Sequence, residues 1–262
     1  MTRSHDIEQY INSVGQLRTP EGLKQLTSDV AREMGFDIVT LFHHVDLSRA
    51  SHSLDHMHSG QMIGFSTCSP AWSEHYCRQN LLAVDPRVRA TRRTASPFST
   101  QEIGKMIPIT AVHRSMVETQ RRYDLGEGFT IPLHFPGEPS ASCTFSMLCG
   151  RQLPSQNFGM AHWIATLAFQ AGRTMLSRAR NEGMMAESPR LTERQLQCTV
   201  LVGRGLSEDE IAARLGVSGE TVKRHLKEAR RTYGVTKSVQ LVTESLRLGH
   251  ITLRDIFSRA PS

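Results

Sequence analysis

Trp72, Tyr76 and Asp85 are the residues whose types and spacing best suit the capture of a small molecule by this 262-residue chain. An indole N–H and a phenol O–H donate to carbonyls, and a carboxylate accepts from an amide N–H. Three such groups converging on an apolar cavity would fix a small amphiphile. Trp72 and Tyr76 stand four apart behind Ser69-Pro70, a helix-starting pair, so their rings share one helix face. Asp85-Pro86 marks another helix start. On residue types alone the plainer readings come first: aromatics four apart serve as core residues, and an Asp before Pro serves as an N-cap.

A second chemistry lies near the C-terminus. Lys223, Arg224, Lys227, Arg230 and Arg231 cluster on one predicted helix, where cations would neutralise phosphates and release counterions from DNA. The distribution of charge supports this. Residues 190–262 hold 13 Lys and Arg against 8 Asp and Glu, whereas residues 1–187 hold 18 against 17. Most of the formal charge of +6 therefore sits in a small terminal unit, as expected if that unit meets nucleic acid. A solvated cationic face on an ordinary bundle is the competing reading.

The third grouping is His52, His56 and His58, with His43 and His44 upstream. An i, i+4 imidazole pair plus a third could hold zinc, and a metal could support hydrolysis of a bound molecule. A surface loop is the plainer reading, and metal binding or metal-assisted hydrolysis is kept only as a remote alternative. No Gly-rich phosphate loop, His-x-Glu pair or Gly-x-Ser-x-Gly elbow supports catalysis, so a non-enzyme without cofactor or resident metal is expected. Five cysteines without a Cys-x-x-Cys pair argue against a disulfide framework and a zinc ribbon. With a polar start and no run near the ~18 apolar residues of a membrane span, a cytoplasmic location is expected.

Positioning these residues calls for two domains. Near Asn181 to Arg190 periodicity is lost and the chain reaches Ser188-Pro189. The expected division is 1–180 for a ligand-binding and dimerisation domain, 181–190 for a linker and 191–262 for a DNA reader. In the first domain, helices are expected around Asp6–Val14, Glu21–Met34, Pro70–Gln79, Pro86–Arg93 and Ser155–Arg180. Strands are expected at Phe36–His43, Gln61–Ser66, Phe129–Phe135 and Ala141–Cys149. Helices before, between and after strands make an α-β-α sandwich with an antiparallel sheet. The second domain reads as all-α with four helices: Thr192 starts the first, the Ser207-x-x-Glu210 capping box the second, Ser218 the third and Ser238 the fourth, with Gly216 stopping the second.

The terminal segment contains Leu191-Thr-x-Arg194, then Gly205-Leu-Ser-x-x-Glu-Ile-Ala-x-x-Leu-Gly-Val-Ser218, then Thr221-Val-Lys-x-His-Leu226. In that order it resembles the helix-turn-helix of LuxR-type transcription regulators. The resemblance implies double-stranded promoter DNA as partner, read by Ser218, Thr221, Lys223, Arg224 and Lys227. Gln195 departs from the family's usual Glu, which puts an internal polar contact in question more than DNA binding. His225 falls at the family's His position and reads as a packed helix residue.

Trp72-x3-Tyr76-x8-Asp85-Pro86 resembles the acyl-homoserine-lactone-binding domain of the same family. The resemblance implies that Trp72 meets the lactone carbonyl, Tyr76 the acyl carbonyl and Asp85 the amide N–H. Gly128-Phe-Thr-Ile-Pro132 resembles the Gly-x-Thr-x-Pro strand of that domain, with Gly128 leaving room for a close approach, and Ser146 falls where the family often has a hydroxyl near the acyl chain. Thr100 stands where the family commonly has a second Trp that walls the lactone, so an enlarged or repolarised pocket is expected. The implied protein is a ligand-responsive, homodimeric regulator in quorum sensing that answers an acyl-homoserine lactone. The alternative is a regulator of the same type with a modified pocket that answers another molecule or acts without one, and the remote alternative is a metal-binding or lactone-hydrolysing protein. A response regulator with the same DNA-reading end is disfavoured, because Phe36-Asp37-Ile38-Val39 lacks the adjacent acids a phospho-acceptor domain needs.

Overall fold

The computed structural model describes residues 3–44, 62–135, 138–181 and 190–257. Two compact units emerge, one carried by Met1–His134 with Ser140–Met185 and the other by Ala186–Ser262 together with the short segment Phe135–Pro139. His52, His56 and His58, and most of the expected linker, lie outside the described residues.

The first unit runs α1 (Arg3–Gln16), α2 (Pro20–Glu33), β1 (Ile38–His43), β2 (Gly64–Ser66), α3 (Pro70–Arg78), α4 (Pro86–Thr91) and β3 (Phe98–Ser99). It continues with α5 (Ile103–Met106), α6 (Ala111–Arg122), β4 (Leu125–Leu133), β5 (Ala141–Leu148) and α7 (Phe158–Asn181). The five strands pair antiparallel in the order β2-β1-β5-β4-β3. An α/β sandwich with an antiparallel sheet is therefore the architecture. The structure differs from the sequence expectation in several places: α5, α6 and β3 are additional, and β4 begins at Leu125, ahead of Phe129.

Strand alternation divides the sheet into two chemically different faces. On β5, Ala141, Cys143, Phe145 and Met147 point into the main core beside Val39, Leu41, Phe129 and Ile131. That core is closed by Leu23 and Ala31 of α2 and by Ala161, Ile164, Ala165 and Ala168 of α7. Each large side chain buried there contributes ~1.5–3 kcal/mol. The alternate residues Ser142, Thr144 and Ser146 are also buried but carry hydroxyls. In register with them lie Phe42, Thr40 and Ile38 of β1 and Pro132, Thr130 and Gly128 of β4. A sheet face rich in hydroxyls and covered by helices needs polar partners. Thr130 and Thr144 share a 3.0 Å hydrogen bond, and Ser142 Oγ shares one of 2.8 Å with His44 Nε2.

His44 is buried, and its Nδ1 has no hydrogen-bond partner among the described residues. Burial is the main reason its pKa drops from 6.5 to about 3, with the nearby Asp85 pulling the other way. Between those values the unfolded chain takes up a proton that the folded chain refuses. Folding stability is therefore lost as pH falls through 6.5 towards 3. From pH 7 to pH 5 this amounts to about 2 kcal/mol. Denaturant titrations at the two pH values should show the loss in wild type and a smaller one in His44→Leu; equal losses would refute the assignment.

The second unit comprises α8 (Glu193–Gly203), α9 (Glu208–Leu215), α10 (Gly219–Thr232), α11 (Ser238–Arg247) and the short α12 (Leu253–Phe257) beyond the four expected helices. Thr192, Ser207 and Ser218 cap α8, α9 and α10 by accepting from the backbone N–H groups of Gln195, Glu210 and Thr221. Ser238 lies inside α11, one residue past the N-cap position; Gln240 Oε1 accepts instead from the N–H groups of Thr236 and Lys237. Gly216 ends α9 at φ +66°, a left-handed conformation that L side chains rarely adopt.

Candidate functional site: a ligand cavity and a DNA-reading helix

The hydroxyl face of the sheet, α3 and α4 enclose a small cavity lined by Thr40, Phe42, Cys68, Trp72, Tyr76, Asp85, Arg87, Val88, Leu125, Ser142, Thr144 and Ser146. Local sequence puts the key residues there. Ser69 Oγ accepts from Trp72 N–H at 3.3 Å with Pro70 at the first turn, so α3 starts where its first apolar residue can turn inward. Trp72 and Tyr76 are each 3% exposed, with ring centroids 5.7 Å apart. Tyr123 flanks Trp72 at 5.3 Å, and Phe42 meets Tyr76 edge-on at 6.4 Å. Asp85 caps α4 by accepting from Arg87 N–H at 2.8 Å, which turns its carboxylate towards the cavity.

That carboxylate is the most heavily engaged group in the cavity. Tyr76 O–H donates to Asp85 Oδ2 at 3.0 Å. Arg87 donates from Nε to Oδ1 at 3.2 Å and from Nη2 to Oδ2 at 3.1 Å. Burial and then the Asp85 charge push the Tyr76 phenol well above its ordinary pKa, so Tyr76 remains a donor. Burial is the largest influence on Arg87 and disfavours its charge. The attraction and hydrogen bonding of Asp85, with Tyr76 behind, outweigh it and hold the guanidinium above its ordinary value.

Of the six ligand-site residues expected from sequence, the structure brings Trp72, Tyr76, Asp85 and Ser146 together on this cavity. Thr100 and Gly128 do not border it. Thr100 Oγ1 donates to Gly128 C=O at 3.1 Å and accepts from Gly128 N–H at 2.9 Å, binding the turn after β3 to β4 rather than walling the cavity. Gly128 does allow a close approach, but of side chains: a Cβ there would stand 2.9 Å from Ser146 Oγ and 3.0 Å from Thr144 Cγ2. Gly128→Ala should push these two hydroxyl residues and cost about 1–3 kcal/mol as overpacking. Unchanged stability in a denaturant titration would show that Ser146 and Thr144 yield freely. Arg87, Thr40 and Cys68 were not anticipated. An Arg two residues past a capping Asp was the available signal for the first.

On the second unit, Val222, Leu226 and Ala229 turn α10 inward, and Lys223, Arg224 and Lys227 are exposed on its other side. Ser218 at the N-cap shares a 2.9 Å hydrogen bond with Thr221, placing both hydroxyls at the helix start where backbone N–H groups attract anions. Lys223 Nζ donates to Glu220 at 2.9 Å, an exposed contact that a phosphate can replace. His225 is half-buried, as a packed helix residue would be. Gln195 keeps the contact its departure put in question: Oε1 accepts from Thr192 N–H at 2.9 Å, and Nε2 donates to Glu228 at 3.3 Å.

Among the described residues no group of three or more His, Cys, Asp or Glu is placed to hold a metal ion, and no helix is long and apolar enough to cross a membrane. His43 Nδ1 accepts from Ile63 N–H at 3.1 Å.

A buried ligand cavity in an α/β sandwich, followed by a capped helix-turn-helix with an exposed cationic second helix, defines a ligand-responsive DNA-binding regulator. The chain matches the autoinducer binding domain family over residues 19–172 and the bacterial regulatory proteins of the luxR family over residues 189–245. It belongs to the LuxR family of autoinducer-binding transcription regulators. It is 21% identical over 198 residues to the transcriptional activator protein AhyR of Aeromonas hydrophila, covering 74% of this chain and 75% of the relative. Over 183 residues it is 28% identical to RpaR, a quorum sensing-dependent transcriptional regulator of Rhodopseudomonas palustris, covering 70% and 72%. It spans 55% of the length of a third relative, the putative regulator y4qH of Sinorhizobium fredii, at 23% identity and with 70% of this chain covered. The crystal structure of Escherichia coli SdiA has the same fold, with a TM-score of 0.70 at 18% identity over 93% of this chain and 96% of SdiA. SdiA has also been solved in complex with octanoyl-rac-glycerol, again with a TM-score of 0.70 and 18% identity, over 96% of this chain and 98% of that one.

Proposed function

We propose that the protein is a cytoplasmic, homodimeric transcription regulator in a cell-density circuit, whose signal binds in the cavity between α3, α4 and the hydroxyl face of the sheet. The observation that carries this reading is the convergence of Trp72, Tyr76 and Asp85 on one buried space. The signal is an N-acyl-homoserine lactone or an acyl compound related to it, with carbonyls to meet the Trp72 N–H and an apolar tail. The second form of the signal is favoured by one observation, the engagement of Asp85 by Arg87. The free space is about 30 Å³, room for roughly one water, so binding must move side chains. That movement lets a ligand favour one conformational population over another.

Residues 1–180 form the ligand-binding and dimerisation domain, 181–190 the linker and 191–262 the DNA reader. Dimerisation follows from DNA recognition, because one short helix reads few base pairs and two half-sites add specificity. The long helix α7 carries Trp163 at 60% exposure, a large aromatic suited to a subunit contact. Ser218, Thr221, Lys223, Arg224 and Lys227 contact the promoter. Lys227→Ala should weaken binding evenly across sequences and reduce the salt slope of log K by about one. An unchanged slope would remove Lys227 from the interface.

The test is the thermal stability and promoter affinity of the purified protein against a panel of acyl lactones and acyl esters of graded chain length. A shift that depends on chain length and vanishes in Ser146→Leu, which fills the cavity from β5, supports the reading. No shift with any acyl carbonyl compound, in protein that still binds DNA, defeats it.

A further inference from the structure

Asp85 has no acceptor capacity left. An ionised carboxylate offers about four lone-pair sites. Oδ1 accepts from Arg87 N–H and Arg87 Nε–H, and Oδ2 from Tyr76 O–H and Arg87 Nη2–H. All four sites are occupied within the chain. Two residues that carry N–H donors, Trp72 and Arg87, line the same cavity. Arg87 spends Nε and Nη2 on Asp85. The cavity's strongest acceptor is closed.

We propose that Arg87 is a specificity-determining residue that turns the cavity towards ligands whose head group offers carbonyl or ether oxygens and no N–H, an acyl ester or ketone rather than an N-acyl amide. The proposal rests on the reading that this cavity is the signal site. An amide N–H entering beside Asp85 must either displace an Arg87 donor or accept a neutral partner such as Ser146 Oγ. A neutral hydrogen bond is roughly half as strong as one to a carboxylate. An ester oxygen in the same place has no such requirement, because it brings no N–H that needs an acceptor. Arg87 is held for this role by its own backbone, since its N–H is the group Asp85 caps. Its side chain is only 19% exposed, so water competes little for the guanidinium.

The experiment compares two molecules that differ by one atom: N-octanoyl-homoserine lactone and the ester in which oxygen replaces the amide nitrogen. Binding of each to the full chain is measured by titration calorimetry. Wild type is expected to bind the ester ~10-fold or more tightly than the amide, the scale of one unpaired buried donor. Arg87→Met keeps the bulk of the side chain, frees two sites on Asp85, and should bring the ratio to one or invert it. Arg87→Lys, a single point donor that cannot cover both oxygens, should fall between and keeps the test open if Arg87→Met folds poorly. Amide binding to wild type as tight as ester binding overturns the proposal. Binding of neither to wild type but of both to Arg87→Met also overturns it, making Arg87 a plug while leaving the signal site intact. Binding of neither to any variant, with no stabilisation by any acyl carbonyl compound, removes the signal-site reading along with it.

Discussion

Asp85→Ala is expected to lower the stability of the first unit by about 3–5 kcal/mol, well beyond the effect of losing one ligand contact. The substitution strips a buried guanidinium of its counter-charge, removes the acceptor of the Tyr76 phenol and deletes the N-cap of α4. The cap alone is worth about 0.5–2 kcal/mol. The double variant Asp85→Ala with Arg87→Met removes both charges and should recover much of the loss, because an absent ion pair costs less than a broken one. The readout is simple, since both tryptophans, Trp72 and Trp163, lie in the first unit. Denaturant unfolding followed by tryptophan fluorescence therefore reports that unit. A loss under 1 kcal/mol for Asp85→Ala, or a double variant no better than the single one, would mean that Arg87 finds another partner or water. It follows that loss of signalling in Asp85→Ala would not by itself show that Asp85 touches the signal, and a cavity-filling variant such as Ser146→Leu is informative only beside its own unfolding curve.

Leu226→Ala should abolish promoter binding while leaving the tryptophan unfolding midpoint where it is. Leu226 is 1% exposed and packs among Leu191, Cys198, Ile211, Val222 and Leu241. Truncating a buried Leu costs about 2–5 kcal/mol. A unit of this size has little surplus, since small domains bury a smaller fraction of their surface and whole domains are stable by only ~5–15 kcal/mol. No residue of this core belongs to the core of the first unit, which is why the two readouts should separate. Loss of helical circular dichroism, loss of DNA binding and an unmoved fluorescence midpoint are the expected set. Promoter affinity within two-fold of wild type would show that α10 is held by more than its apolar face.

Elements with apolar periodicity and a hydroxyl cap were legible in the sequence. The helices α8 to α10 begin at Thr192, Ser207 and Ser218, and β1 and β5 are near-continuous apolar or hydroxyl runs. Helix α6 was not legible, because its buried face is made of His113, Met116 and Gln120, and its cap pairs Thr110 with His113 where a Glu is the usual signal. The first residues of β4, Leu125-Gly-Glu-Gly128, fall outside the expected strand because glycine weakens the strand pattern. At the cavity, Trp72, Tyr76 and Asp85 stood out by spacing, whereas Arg87 did not. Whether an Arg beyond a cap turns out to solvent or folds back on the carboxylate depends on tertiary burial, which no local pattern encodes. Thr100 shows the converse: the resemblance implied a place at the cavity wall, whereas its short hydroxyl side chain reaches the nearest backbone, here Gly128.

Gln195 has a consequence for how this chain can change over time. Its amide accepts from Thr192 N–H with one atom and donates to the Glu228 carboxylate with the other. A Glu at position 195 would keep the first contact and set two carboxylates against each other in the second. The two positions are therefore tied: an acid at 195 calls for a neutral donor at 228, and an acid at 228 calls for an amide at 195. Related chains should exchange these residues as a pair, and a lineage that altered one first would pass through a strained DNA reader before the other followed.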